Sequence, residues 1–208
     1  MKSFFYILVF LFVNSFVYSQ SSVKQFFNLP RPEKCWVLTH PFKAKKAYRI
    51  SMEARHKADS LAKTNTLDKD ANGGQVDAFR HSYWQARLSC ELSPKAALKL
   101  GKAHEKGNYI QYKKHRKEDG SIPDKISSDM DLFNNKVGVY LADSANTCSP
   151  KELERIVIEA VKNGKMKIIL KNKQGDFLDC NYNIIPPDSL KHKWINNKCL
   201  VRSDVIQK

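Results

Sequence analysis

The chain has 208 residues, with 36 Lys and Arg against 21 Asp and Glu and a formal net charge of +15. That length holds one domain with a proper core and excludes two comfortable ones. The basic excess favours anionic partners such as nucleic acid, phospholipid headgroups or cell-wall polymers, and charge alone does not choose among them.

Residues 1–19 read as an export signal. Lys2 supplies a minimal positive end, Phe4 to Val13 is an uninterrupted apolar run, and Val17-Tyr18-Ser19 fits a small-residue cleavage pattern before Gln20. The run falls short of the roughly 20 apolar residues that a bilayer-crossing helix needs. The mature chain is therefore expected to start at Gln20 and to be periplasmic or secreted.

Residues 20–42, with Pro30, Pro32 and Pro41, read as an irregular N-terminal arm. A helical domain is expected over 43–164. Its first helix spans Lys43 to Lys63, where Ala47, Ile50, Ala54, Ala58 and Leu61 recur at three- and four-residue intervals. His56 falls on the charged side and reads as a surface histidine. Asn72-Gly73-Gly74 is a breaker cluster, and the next helix is expected from about Gln75 to Glu91. Ser93 as cap and Pro94 in the first turn start another, running to about Gly107.

Residues 107–127 then read as a long connection carrying Tyr109, Tyr112 and the basic stretch Lys113, Lys114, His115, Arg116 and Lys117. Such a loop suits an anionic ligand or surface, and equally a solvated loop. A fourth helix is expected from Ser127 or Ser128 to Asp143. Ser149-Pro150-Lys151-Glu152 has the pattern of a capping box opening a fifth helix up to Gly164. Over 165–208, Met166–Leu170 and Phe177–Tyr182 flank Asn172–Gly175 as a hairpin, followed by an irregular tail. The expected fold is mainly α: a compact, monomeric domain of about five helices with a small C-terminal β-hairpin packed on it.

Five cysteines in an exported chain leave one unpaired, and none forms a Cys-x-x-Cys pair. The favoured bridges are Cys180 with Cys199 and Cys90 with Cys148; five ordinary thiols are the alternative.

The most informative stretch is Asp77-Ala78-Phe79-Arg80-His81-Ser82-Tyr83-Trp84, which places Asp77, Arg80, His81 and Trp84 on neighbouring helical turns. A carboxylate one turn before an imidazole can orient it and raise its basicity, as a general base requires. The bland alternative is a core histidine satisfied by Asp77 or a carbonyl. His104 and Glu105 lie on the third helix, about 100° apart, so both cannot aim squarely at one small site. Asp131, Asn134 and Asn135 interrupt an otherwise apolar helix, which suggests that side-chain hydrogen bonds outweigh helix propensity there.

The catalytic candidates are His81, Asp131, His104, Glu105 and Asp77; the substrate-binding candidates are Arg80, Trp84, Asn134 and Asn135. A divalent metal is one candidate cofactor, with His81, His104 and Asp131 as donors, although the spacing matches no His-Glu-x-x-His motif. No Gly-x-Ser-x-Gly turn presents a nucleophile.

Asp-Ala-Phe-Arg-His-x-x-Trp from 77, Ala-His-Glu from 103 and Met-Asp-Leu-x-Asn-Asn-x-x-Gly from 130 resemble the signature of a bacterial domain-of-unknown-function family over about residues 70–142. The resemblance implies a largely helical domain marked by Arg80, His81, His104, Glu105, Asp131, Asn134 and Asn135, and it supplies no reaction. A fainter similarity is to secreted bacterial phospholipases A2, with His81 and Asp131 as the paired histidine and aspartate. Ser82 stands where that family has an acid, and no glycine-rich calcium loop precedes it. Two functions follow as expectations: a hydrolase of an anionic substrate, phospholipid or nucleic acid, and a non-enzymatic module for an acidic surface whose polar cluster is structural.

Overall fold

The computed structural model describes residues 26–117 and 122–205; the expected export signal at 1–19 lies outside them. The chain is mainly helical: α1 Arg31–Thr39, α2 Pro41–Ala62, α3 Gln75–Glu91, α4 Pro94–Lys113, α5 Lys125–Ala145, α6 Pro150–Lys162 and the short α7 Pro187–Leu190. Two short strands, β1 Lys167–Ile169 and β2 Leu200–Arg202, lie near the C-terminal end of the described residues. No described helix is long and apolar enough to cross a membrane.

Helix α3 is the axis of the fold. From Val76 to Ser89 every residue except Arg80 is buried, because α2, α4, α5 and α6 all pack on it. A helix enclosed on all sides would normally be apolar throughout. This one carries Asp77, His81, Ser82, Gln85 and Arg87 inside, and their polar groups must be met by neighbours. The Ala47, Ile50, Ala54, Ala58 and Leu61 stripe of α2 is buried as its spacing predicts, and His56 is exposed. Helix α6 contributes Leu153, Val157, Ala160 and Val161.

Helices α3 and α5 pack backbone to backbone at Gly138. A Cβ added at Gly138 would stand 2.1 Å from the Ser82 carbonyl oxygen, so only glycine permits this crossing. It brings the middle of α5 against the turn that carries His81.

The structure corrects several expectations. Residues 31–39, expected within an irregular arm, are helix α1, because Pro32 lies in its first turn, where no backbone N–H is needed. Helix α4 continues past Gly107 to Lys113: that glycine lets Pro30 approach, since an added Cβ would meet Pro30 Cγ at 2.8 Å. Helix α5 starts earlier than expected, at Lys125, with Asp124 as cap; Asp124 Oδ1 accepts from the Ser127 N–H at 2.8 Å and Ser127 Oγ accepts from the Asp124 N–H at 3.1 Å. Helix α6 begins at the expected place, but the Ser149 side chain makes no capping bond. Ser93 does cap α4, accepting from the Ala96 N–H.

In the C-terminal sheet β1 pairs antiparallel with β2, Ile168 opposite Val201. The segment expected to pair with β1, from Phe177, instead meets the chain just beyond it, through an isolated Lys171–Phe177 bridge and the Leu178 N–H to Leu170 carbonyl bond at 3.1 Å. Two disulfides close, Cys90–Cys148 and Cys180–Cys199, with Cα atoms 5.6 Å and 4.9 Å apart, and Cys35 is free. The sheet is tied to the helices by Asn134, whose carboxamide bonds both the N–H and the carbonyl of Lys167 at 2.9 Å. Gly73, at φ 91°, accepts the Ile169 N–H at 2.7 Å in a backbone conformation that suits glycine.

Candidate functional site

Helices α3 and α5 bring Asp77, His81 and Asp131 together. His81 Nε2 lies 3.5 Å from Asp77 Oδ1 and 3.4 Å from Asp131 Oδ1, and all three side chains are buried. Asp77 is fixed on both oxygens. Its Oδ2 accepts from the Gly73 N–H at 2.7 Å, and its Oδ1 accepts from Arg80 Nη2, also at 2.7 Å. The same guanidinium nitrogen is 3.3 Å from His81 Nε2. Nδ1 of His81 makes no well-aligned hydrogen bond among the described residues.

Electrostatics separates the members of the cluster. Contrary to the raised basicity expected from Asp77, burial holds His81 well below the usual histidine range, helped by the positive charges of Arg80, His104 and Arg55, with the Asn135 side chain opposing. Burial pushes the Asp131 carboxyl well above the usual range, reinforced by Glu105 and Asp77 and opposed by Arg80 and His104. Both shifts disfavour charge on the two partners of the His81–Asp131 contact. Groups driven in opposite directions are the usual basis for dividing acid and base roles in one site.

His104, on α4, faces the cluster from another side. Its ring centroid is 6.1 Å from that of His81 and 5.7 Å from that of Trp84, while its Nδ1 lies 2.9 Å from Glu33 Oε1 on α1. Trp84 stands edge-on to His81 and donates its indole N–H to Ser51 Oγ at 2.9 Å. Glu105 is buried and accepts from Asn108, and its charge acts on Asp131. Two adjacent helical residues thus serve one cluster from different angles. Asn135 packs with Gln85 in the space left by Gly101, where an added Cβ would come within 2.9 Å of Asn135 Nδ2. Asn134 stands apart from the cluster, both ends of its carboxamide engaged by Lys167.

A pocket of about 240 Å³ opens onto this arrangement between α1, α2, α3 and α4. Trp36, Val37, Ala47, Ala54, Trp84 and Leu100 give it apolar walls, and Glu33, Arg55, Arg80, His81 and His104 are its polar lining. Asp77 and Asp131 do not line it. His81 therefore separates an apolar pocket from two carboxylates, with the arginines at the pocket side. Glu33 and Arg55 were not singled out from the sequence. Glu33 stood in the supposed arm and Arg55 on a charged helix face, and no spacing relates either to His81.

Asp77, His81 and Asp131 offer donor atoms within 4.8 Å of one another and could hold a metal ion. Asp77 takes the place expected for His104, whose Nδ1 is turned to Glu33. The fit is contested by Arg80, whose Nη2 already touches both Asp77 Oδ1 and His81 Nε2 and would have to leave for a cation to bind them.

No curated protein and no solved structure matches the chain. A family model described as Domain of unknown function (DUF6973) matches residues 34–165, a stretch that begins within α1, contains α2 to α6 and includes Asp77, His81 and Asp131. The chain belongs to this family of domains of unknown function.

Proposed function

We propose that the protein is an exported hydrolase of an anionic substrate, with His81 as general base. One observation carries this reading: a buried, neutral histidine lines an apolar pocket on one side and is flanked on the other by carboxylates from two helices. A purely structural histidine has no need to line a pocket beside two arginines. Two disulfides suit an oxidising compartment and accord with export.

In the proposed reaction a water attacks the carbonyl or phosphoryl centre of the substrate and gives its proton to the His81 imidazole. The contacts at Nε2 hold the ring in place. Arg80 and Arg55 oppose the negative charge that develops on the substrate oxygen, and the low-dielectric pocket strengthens that interaction. Protonated His81, destabilised by burial, then returns the proton to the leaving oxygen, so atoms and charge balance over the cycle. Asp131 and Glu105 position the base, and Trp84 walls the pocket.

The test is hydrolysis of phospholipid vesicles, DNA and RNA by the purified protein, with and without a chelator. His81→Ala is expected to lose at least about a hundredfold in rate; wild-type rates in that variant would remove the proposal. Sensitivity to chelator would transfer the chemistry to a metal held by Asp77, His81 and Asp131.

A further inference from the structure

The corner where α1 meets α2 exposes large apolar side chains that a water-facing surface does not need. At that corner Phe42 is 99% exposed and Leu38 68%; Phe27, ahead of the other end of α1, is 68% exposed. Each borders the pocket along the chain: Leu38 follows Val37, Phe42 lies two residues before Ala44, and Phe27 two before Leu29, all pocket-lining positions. Clustered exposed apolar side chains mark interaction surfaces.

The charges along this stretch are mostly positive. Residues 26–52 hold Arg31, Lys34, Lys43, Lys45, Lys46 and Arg49 against the single acid Glu33, and Glu33 is turned to His104. Of the lysines, Lys46 pairs with Glu91. A second pocket of about 290 Å³ is lined by Phe27, Leu29, Arg31, Lys34, Lys114 and Arg116 among others, with no acid among its described lining residues. It shares Leu29 with the first pocket, so a cationic cavity adjoins an apolar one.

We propose that this face docks on an anionic lipid bilayer. Phe27, Leu38 and Phe42 enter the headgroup and acyl boundary, and the cavity of Arg31, Lys34, Lys114 and Arg116 receives a headgroup phosphate. Charge complementarity selects this occupant: a second copy of so basic a chain would bring like charges together, whereas an anionic bilayer offers both phosphate and apolar depth. The proposal deepens the hydrolase reading by naming its substrate class as a membrane lipid, but the docking stands on the exposed residues and the cavity alone.

The experiment measures flotation of the purified protein with vesicles of phosphatidylcholine and of phosphatidylcholine mixed with phosphatidylglycerol. A Leu38→Ser/Phe42→Ser double variant and a Lys114→Glu/Arg116→Glu double variant are run beside it. Wild type is expected on the anionic vesicles only. Each double variant should lose about tenfold or more in affinity with unchanged melting, because it removes apolar anchors or reverses two charges at the surface.

Hydrolysis of a dispersed short-chain phosphatidylglycerol by Leu38→Ser/Phe42→Ser should match wild type. His81→Gln should bind vesicles normally and hydrolyse nothing. Wild-type affinity in both double variants, equal binding to neutral vesicles, or a dimer dissolved by Leu38→Ser/Phe42→Ser would overturn the docking proposal. Hydrolysis retained in His81→Gln would overturn the catalytic reading and leave the docking standing.

Discussion

Replacing Gly138 with alanine is the smallest change that tests how the site is held together. The added Cβ would lie 2.1 Å from Ser82 O, 2.7 Å from Ser82 C and 2.8 Å from Ser82 Cα, all backbone atoms of the central helix. Ordinary contact begins near 3.4 Å, so α3 and α5 must separate by about an ångström, and no side-chain rotation relieves the clash. Overpacking of this kind costs about 1–3 kcal/mol, and a backbone obstacle belongs at the upper end. Alanine's better helix propensity returns about 1 kcal/mol. The net loss is then about 2 kcal/mol, which for a domain of this size lowers the melting temperature by roughly 4–8 °C.

The same separation acts on the site. Ser82 follows His81 on α3, and Asp131 lies two turns before Gly138 on α5, so the 3.4 Å His81–Asp131 contact should open. Gly101→Ala is the matched comparison. Its Cβ meets only the ends of the Asn135 and Gln85 side chains, at 2.9 Å and 3.0 Å, which can turn away. Thermal melting by circular dichroism of both variants is the assay. A Gly138→Ala protein melting within about 1 °C of wild type, or above Gly101→Ala, would refute the close-crossing argument.

Asn134→Ala should cost about 2–3 kcal/mol in chemical denaturation, since it leaves the N–H and carbonyl of Lys167 without their partner; a neutral result would mean the strand is held otherwise. Asp131→Asn should be neutral or stabilising by the same measurement, because burial and two nearby acids already disfavour its charge; a large loss would show that its charge holds the fold. Joint replacement of Cys90 and Cys148 by alanine, opening a 58-residue separation, should cost about 4 kcal/mol by loop-closure entropy, read from urea midpoints with Cys180–Cys199 intact. Burial raises the Glu53 pKa, but hydrogen bonds from Arg87 and Tyr83, with the charges of Arg87 and Lys57, outweigh it and hold the carboxyl below 4.5. The stability it contributes is complete above that unfolded value and disappears as pH falls through the folded one. The urea-midpoint gap between wild type and Glu53→Gln should therefore shrink below about pH 4.5, and a gap independent of pH would show the ion pair to be inert.

The sequence by itself determined the helical class, the α2 stripe and the central helix over residues 75–91, because helical period, caps and breakers are local properties of the chain; the two cysteine pairings it only favoured, and the fold closed them. It also singled out His81, Asp77 and Asp131, since a histidine one turn from an acid and an acid in an apolar helix are visible as departures from pattern. Local pattern misled where a residue's reason for being there was distant. Pro32 looked like a breaker and starts a helix, and Gly107 looked like an end and is a seat for Pro30. The β1 partner comes from residue 200 onward because antiparallel pairing depends on where the tail returns, not on which apolar run is nearest. Only the tertiary structure decided that Glu33 meets His104, that Arg55 reaches the pocket, and that Asn134 belongs to the strand while Asn135 belongs to the cluster. Those two asparagines are adjacent in sequence and about 100° apart on the helix, so what each one touches is set by the elements packed on either side.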